Sequence, residues 1–417
     1  MRRVAVTGFG VVSPIGVGRE AFWEALRAGR SGIGRITRFD CDTFGVQLAG
    51  EVKEAIPLPG RVGSIAADDP KVGFAWAACA EAVASAGLAR LGPRTLLHLG
   101  VSLEIFPPER IAFGGAPALP ELLAGVLDAS GREGHAFQIP LDTASRLIEE
   151  SFGRAGQSIV NCSACAAGAQ AIGHGFRCVR DERWDTAVCG GFDSMVNPLG
   201  VGGFQMLGAL TTENSRGPSA CRPFEASRSG TVLGEGAAVL VLEPLEDARA
   251  DGKEILAEVC GYGSTMDAHG LSAPDPDGDG AARAMRDALD DARLPPEAIG
   301  HINAHGTGTQ LNDEVEAAAI RRVFVGTWER IPISATKSVT GHLIAAAGAV
   351  EAGACLLSLT RGWIPPNPWL RNVAPGCELC HATGEAARFD GEYVLSNSFG
   401  FGGQNASLIF RRADGRY

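Results

Sequence analysis

One succession of helix and strand patterns occurs twice along this 417-residue chain. A helix pattern at 71–88 precedes a strand pattern at 95–100, and a helix pattern at 280–294 precedes a strand pattern at 299–303. In each half a strand pattern then leads directly into a helix, at 158–165 and at 333–342. Two more strand patterns follow at the end of each half. Alternating apolar strands and helices predict parallel sheets buried beneath helices. The sequence therefore predicts an α/β chain of two similar halves, 1–252 and 253–417.

The composition narrows the classes of function. Hydrophobic residues make up 45% of the chain and charged residues 20%, which is typical of a globular protein. A net charge of −11 argues against binding to nucleic acid or to an anionic membrane surface. The sequence contains no window of 18 apolar residues, so no membrane span is predicted. Eleven cysteines without a secretion signal predict reduced thiols and a cytoplasmic location, and the lone Cys377-Glu-Leu-Cys380 predicts no metal site.

Cys165 lies where a strand pattern meets a helix of small residues. The unpaired N–H groups and the positive dipole end at a helix start favour a thiolate. The same N–H groups can hold an oxyanion after the thiolate attacks a carbonyl. On spacing alone, a buried cysteine with a packing role explains Cys165 equally well. Cys162, three residues earlier, lies on the strand side and is assigned to packing.

Two histidines occur in turns of glycine and threonine that directly follow predicted strands. His305 lies in Asn303-Ala-His305-Gly-Thr-Gly-Thr309, and His342 ends Thr336-Lys-Ser-Val-Thr-Gly-His342. Strand ends are where α/β folds gather catalytic groups. Neutral imidazoles at both positions could each donate one N–H bond to an enolate oxygen. One cysteine with two such histidines indicates acyl transfer through a thioester, and the other six histidines are assigned to structural roles.

With these motifs in order, the chain resembles an elongating (type II) β-ketoacyl-acyl carrier protein synthase. The resemblance also rests on the first strand at 2–16 and on Asn397-Ser-Phe-Gly-Phe-Gly-Gly-Gln-Asn405. It implies a thiolase fold: two pseudo-symmetric βαβαβαββ halves in five α-β-α-β-α layers. It also implies decarboxylative Claisen condensation of an acyl group on Cys165 with malonyl-acyl carrier protein, in fatty acid, polyketide or polyene synthesis. No cofactor is implied beyond the carrier's phosphopantetheine, and the assembly would be a homodimer or a heterodimer with a similar subunit.

The resemblance also implies roles for further residues. Lys337 would bond to the carboxylates of Asp313 and Glu316 and so join the two histidine loops. The hydroxyls of Thr307 and Thr309 would hold the phosphopantetheine arm. Phe401 would gate the acyl pocket beside Phe399, and its amide would form the oxyanion hole with that of Cys165. Glu351, in an apolar helix, needs a partner because buried carboxylates do; the family places it near a structural cation with Asn303 and Ser396.

Two stretches depart from the family pattern. Residues 102–157 fit poorly, and we assign 103–113 to the pocket wall and the dimer contact. Residues 60–70 are poor in basic side chains, and Glu213 stands where a basic residue is common. The carrier protein is therefore expected to dock on other residues, or on a partner subunit.

Three alternatives compete with an elongating synthase. A non-catalytic partner subunit resembling a chain-length factor would have lost the nucleophile, whereas Cys165, His305 and His342 are all present. A thiolase would carry a second reactive cysteine near the C-terminal glycine-rich turn. A chain-initiating synthase would have an asparagine where this chain has His342. The elongating reaction is favoured over all three.

Overall fold

A computed structural model describes residues 2–103 and 139–413. Residues 103–113 were assigned above to the pocket wall and the dimer contact. All of them except residue 103 lie outside the described residues. Strands within them are β1 (Val4–Ser13), β2 (Gly16–Val17), β3 (Ile33–Arg35), β4 (Leu48–Gly50), β5 (Thr95–Gly100), β6 (Gln157–Asn161), β7 (Thr186–Ser194), β8 (Leu233–Pro244), β9 (Ala257–Met266), β10 (Ile299–Asn303), β11 (Ile333–Ser334), β12 (Trp363–Ile364), β13 (Ala387–Arg388), β14 (Tyr393–Gly400) and β15 (Gln404–Arg411).

The α-helices cover the faces of this sheet system or lie inside it. In the same described residues they are α1 (Arg19–Arg27), α2 (Gly60–Asp68), α3 (Pro70–Ser85), α4 (Thr143–Phe152), α5 (Ala167–Arg180), α6 (Pro198–Met206), α7 (Leu245–Ala250), α8 (Asp279–Ala292), α9 (Gln310–Val323), α10 (Lys337–Thr340) and α11 (Ala347–Arg361).

Ten strands form one path of hydrogen-bonded neighbours that is symmetric about its middle. The order is β11-β10-β14-β15-β9 followed by β1-β8-β7-β5-β6. In each half the two strands nearest the middle are antiparallel to their neighbours, and the outer three are parallel. The halves join where Val4–Val6 pair with Val259–Ala257. The helices between the strands complete βαβαβαββ in both halves, so the predicted fold class is confirmed.

The helices α5 and α11 form the central layer, because each contacts strands of both halves. They cross closely at glycines: a Cβ at Gly168 would lie 2.8 Å from the Ala345 oxygen, and one at Gly348 would lie 2.8 Å from Ala169 Cβ. A helix that is apolar on all sides is stable only when it is buried. Ile344–Arg361 is the one stretch of the described helices that is long and apolar enough to cross a membrane, and 89% of it is buried inside the protein.

The ends of the parallel strands bring the chemistry-bearing loops together. Cys165 follows β6, His305 follows β10, and His342 follows β11 by way of the short helix α10. The Phe401 loop joins β14 to β15. Because the carboxyl ends of parallel strands meet at one edge of a sheet, segments far apart in sequence converge beside the central helices.

Candidate active site

Cys165 lies in a single 3-10 turn, Ala164–Ala166, at the start of α5. Its side chain is buried, and its sulfur lies 3.1 Å from His342 Nε2. Both groups line a cavity of ≈ 320 Å³, together with His305. The structure therefore brings the three residues predicted from separate motifs to one cavity.

The thiol of Cys165 is in an environment that opposes ionisation. Burial raises its pKa to about 11, while the Phe401 N–H and the positive charge of Lys337 act in the lowering direction. The helix start was expected to favour the thiolate, and burial outweighs that effect. The resting group is a thiol, and charge on the sulfur is stabilised by the amides and the imidazoles around it.

His342 presents a fixed donor to the thiol. The backbone N–H of Ile344 donates to His342 Nδ1 at 3.2 Å, so that nitrogen carries a lone pair. Burial, with Lys337, holds the pKa of His342 well below its usual value. A neutral imidazole with an acceptor at Nδ1 has its proton on Nε2. His342 therefore donates from Nε2 toward Cys165.

His305 is held in the same tautomer by a different group. The ammonium of Lys337 lies 3.1 Å from His305 Nδ1 and can only donate to it. Burial lowers the pKa of His305 well below its usual value, with Lys337 and His342 adding to the effect. Its Nε2 proton therefore also faces the cavity. The two rings lie 5.2 Å apart between centroids and are nearly perpendicular, at 83°.

Lys337 does not make the carboxylate contacts expected from the resemblance. Its ammonium lies 2.5 Å from Glu351 Oε1 and 2.6 Å from the backbone oxygen of His305, and Asp313 and Glu316 are not among its partners. With His305 Nδ1, all three protons of the ammonium are used. The buried charge of Lys337 is thus compensated by Glu351, which was expected to have a partner but was not matched with this lysine.

Asp313 and Glu316 instead hold the backbone of the His305 loop. Glu316 accepts from the N–H groups of His305 and Gly306, each at 2.8 Å, and Asp313 accepts from Thr307 at 3.1 Å. Both carboxylates lie on α9 and are buried. Burial raises the pKa of Glu316 to about 7 against the lowering effect of these N–H donors. The loop that carries His305 is therefore anchored to one helix.

The side chains predicted to contact substrate line the same cavity: Thr307, Thr309, Phe399 and Phe401. The hydroxyls of Thr307 and Thr309 lie 2.9 Å apart. The Phe399 ring lies 6.0 Å from that of His305. Phe401 begins a 3-10 turn, Phe401–Gly403, in which Gly402 has a φ of 77° that favours glycine.

Three further residues of the cavity wall were not found from the sequence. The Phe204 ring, from α6, lies 6.1 Å from the ring of Phe401. Asp267 accepts from Asn405 Nδ2 at 2.6 Å, and its backbone N–H donates to the Gly403 oxygen. Asn405 ends the glycine-rich motif and could have been singled out from it. Phe204 and Asp267 lie in no motif and are brought to the cavity only by the fold.

The three residues that the resemblance places around a structural cation carry unsatisfied polar atoms. Glu351 Oε2, Asn303 Nδ2 and Ser396 Oγ are buried without a hydrogen-bond partner. Asn303 and Ser396 are neighbours on the paired strands β10 and β14. Glu351 Oε2 and Ser396 Oγ are oxygen ligands of the kind that a hard cation takes, whereas Asn303 Nδ2 is a hydrogen-bond donor, so the cation role stays an expectation. Across the described residues, no group of three His, Cys, Asp or Glu side chains is placed to bind a metal ion.

Comparison with known proteins gives the family. Models of the β-ketoacyl synthase N-terminal and C-terminal domains match residues 1–248 and 256–371. The chain is 37% identical over 415 residues to a 3-oxoacyl-[acyl-carrier-protein] synthase 2 of Coxiella burnetii, covering 99% of each. This chain belongs to the β-ketoacyl synthase family.

Two solved structures share the whole fold. The ishigamide ketosynthase/chain length factor is 36% identical, with a TM-score of 0.83 and 99% of each chain covered. A type II polyketide synthase ketosynthase, AntDE, in complex with its acyl-carrier protein AntF, is 29% identical, with a TM-score of 0.86 and 99% and 100% covered. The thiolase fold expected from the resemblance is thus the fold of this chain.

Proposed function

We propose that this protein is a β-ketoacyl-acyl carrier protein synthase that extends an acyl chain by decarboxylative Claisen condensation. The observation that carries the proposal is the Cys165 thiol at 3.1 Å from His342 Nε2, with the second neutral imidazole of His305 beside it. Hydrolytic thiol enzymes pair a cysteine with one base. Two N–H donors that share a cavity with the thiol suit a reaction that forms an enolate.

In the first half-reaction the acyl group moves from the carrier thioester to Cys165. The sulfur attacks the carbonyl carbon, the carrier sulfur leaves, and the thiol proton ends on the carrier. The oxyanion of the tetrahedral intermediate is stabilised by the N–H groups of Cys165 and Phe401, which lie at the sulfur. Burial excludes water, so the acyl-cysteine is protected from hydrolysis.

In the second half-reaction a malonyl thioester occupies the emptied cavity. The Nε2 protons of His305 and His342 donate to its thioester oxygen, so the enolate formed when carbon dioxide leaves is stabilised. The enolate carbon attacks the acyl-cysteine carbonyl, and the sulfur of Cys165 departs and takes up a proton. Thr307 and Thr309 are proposed to hold the phosphopantetheine arm, because their hydroxyls line the cavity.

The proposed condensation reaction also requires protein partners. We infer that the substrates arrive on an acyl carrier protein, supported by the AntF complex of the related ketosynthase. We also infer a dimer with an identical or a similar subunit. In the described part of the chain, β6 lies at the end of the sheet and pairs only with β5. An unpaired strand edge is a ready site for pairing with another chain.

A chain-length-factor-like subunit without turnover is the alternative, and the intact Cys165 site argues against it.

We infer a cytoplasmic location because all eleven cysteines lie in the described residues and none forms a disulfide. The proposed boundary between the halves, at residue 252, falls between α7 and β9.

The test is condensation by the purified protein with an acyl-carrier thioester and malonyl carrier, followed by mass analysis of the carrier. The wild type should yield a β-ketoacyl carrier two carbons longer, with loss of carbon dioxide. Cys165→Ala should yield none, while the matched control Cys162→Ala should behave as the wild type. No product from the wild type with a panel of acyl lengths would overturn the proposal.

A further inference from the structure

The two central helices begin with the same unusual turn. Each follows a 3-10 turn whose first residue has a left-handed backbone: Ala164 with φ 48° and Ile344 with φ 49°. The next residues are Cys165 and Ala345. Because the two halves share their topology, Ala345 occupies in the second half the position that Cys165 occupies in the first.

The N–H groups at these two positions meet different surroundings. The Ala345 N–H donates to Asp193 Oδ2 at 3.0 Å. No side-chain carboxylate bonds to the Cys165 N–H in the residues that the structure describes, and that amide lies at its own thiol, beside the cavity. The first amides of a helix are unpaired and attract anions. The fold thus contains one anion-binding turn twice, and in the second half a built-in carboxylate fills it.

Asp193 is itself firmly held. It is the penultimate residue of β7 and is fully buried. The Ser102 hydroxyl donates to its Oδ1 at 2.9 Å, and the Ser194 N–H also bonds to the carboxylate. A carboxylate with these donors is a rigid acceptor for Ala345.

The anchored turn leads directly to His342. Ile344 is β-branched, and a positive φ is strained for such a residue unless surrounding contacts hold it. Its N–H is the group that donates to His342 Nδ1 and leaves the Nε2 proton facing Cys165. Asp193 fixes the N–H of the next residue, on the far side of the strained position.

We propose that Asp193 is a positioning residue for His342: through Ala345 it holds the strained turn in which the Ile344 N–H sets the donating tautomer of the imidazole. This inference rests on the proposed condensation reaction. Asp193 therefore affects decarboxylation of the malonyl thioester, the step in which His342 donates to the thioester oxygen. Transfer of the first acyl group to Cys165 depends more on the amides and is affected less.

The test compares the two half-reactions in purified variants. Asp193→Ala should lower malonyl decarboxylation on the order of 10- to 100-fold, the cost of a small misplacement of a catalytic group. Acylation of Cys165 should fall several-fold less. Asp193→Asn, whose amide oxygen can still accept from Ala345, should recover most of the decarboxylation. Asp185→Ala, which removes an exposed carboxylate paired with Arg94, is the control and should match the wild type.

Three results would overturn the inference: normal decarboxylation by Asp193→Ala, equal loss of both half-reactions, or no recovery in Asp193→Asn. If Asp193→Ala does not fold, Asp193→Ser tests the same lost contact, because its hydroxyl is shorter and polar. An inactive wild type would instead refute the proposed function, so the two failures are distinguishable.

Discussion

Replacing Lys337 by methionine should separate the stability that its ion pair gives from the chemistry that it supports. The side chains of Lys337 and Glu351 are only 1% and 3% exposed. Removing one partner of such a buried pair costs about 3–5 kcal/mol, because it leaves an uncompensated charge, whereas surface pairs contribute about 0–1 kcal/mol. Lys337→Met should therefore shift the urea unfolding midpoint markedly. It should also lower decarboxylation about 100-fold, since His305 loses the donor that fixes its tautomer.

The double variant Lys337→Met/Glu351→Leu distinguishes the two effects. With both charges gone, most of the lost stability should return, since buried pairs are often replaced by apolar side chains at little cost. Decarboxylation should stay low, because His305 Nδ1 still lacks its donor. Lys253→Met breaks another ion pair, with Glu243, far along the chain from the site motifs. It should lower stability without changing the ratio of the half-reactions. A double variant with wild-type decarboxylation would refute the tautomer argument.

Three further predictions concern the cavity itself. His305→Ala and His342→Ala should each lose about 10²–10³ in decarboxylation and keep some acylation of Cys165, measured by carbon dioxide release and by protein mass; near-normal condensation in both would exclude the two-donor scheme. Phe401→Ala should slow elongation with little change in thermal unfolding, and an unaltered rate and product-length profile would refute the gate. Because burial raises the pKa of the Cys165 thiol to about 11, its alkylation rate, after subtraction of the rate in Cys165→Ala, should keep rising with pH and reach no plateau below about pH 10. A plateau near neutral pH would instead indicate a thiolate paired with an imidazolium.

The sequence predicted much of this fold and site because the relevant signals are local. Each half repeats one order of strands and helices, and Cys165, His305 and His342 each lie in a short motif directly after a strand. Such signals can be recognised from a short stretch of sequence, because they do not depend on how distant segments pack. The structure confirms the fold class and brings the three residues to one cavity.

The contacts between distant segments could not be predicted in the same way. Lys337 was assigned to Asp313 and Glu316, but it bonds to Glu351, which lies on the neighbouring central helix. The partner of a buried charge depends on how helices pack, and no spacing in the sequence records that. Asp193 was not predicted from the sequence. Its proposed role depends on the contact with the Ala345 N–H and on the equivalence of the turns that begin the two central helices, and both require the structure. The raised pKa of Cys165 likewise follows from burial, which opposes the effect of the helix start.

In the proposed reaction, Cys165 carries the growing acyl chain. The most direct measurement is to incubate the protein with an acyl-carrier thioester in the absence of malonyl carrier, digest it, and locate the acyl group by tandem mass spectrometry. The exposed Cys162, three residues away, provides an internal comparison within the same peptide. We expect one acyl group on Cys165 and none on Cys162. An acyl group on Cys162, or on no cysteine, would contradict it.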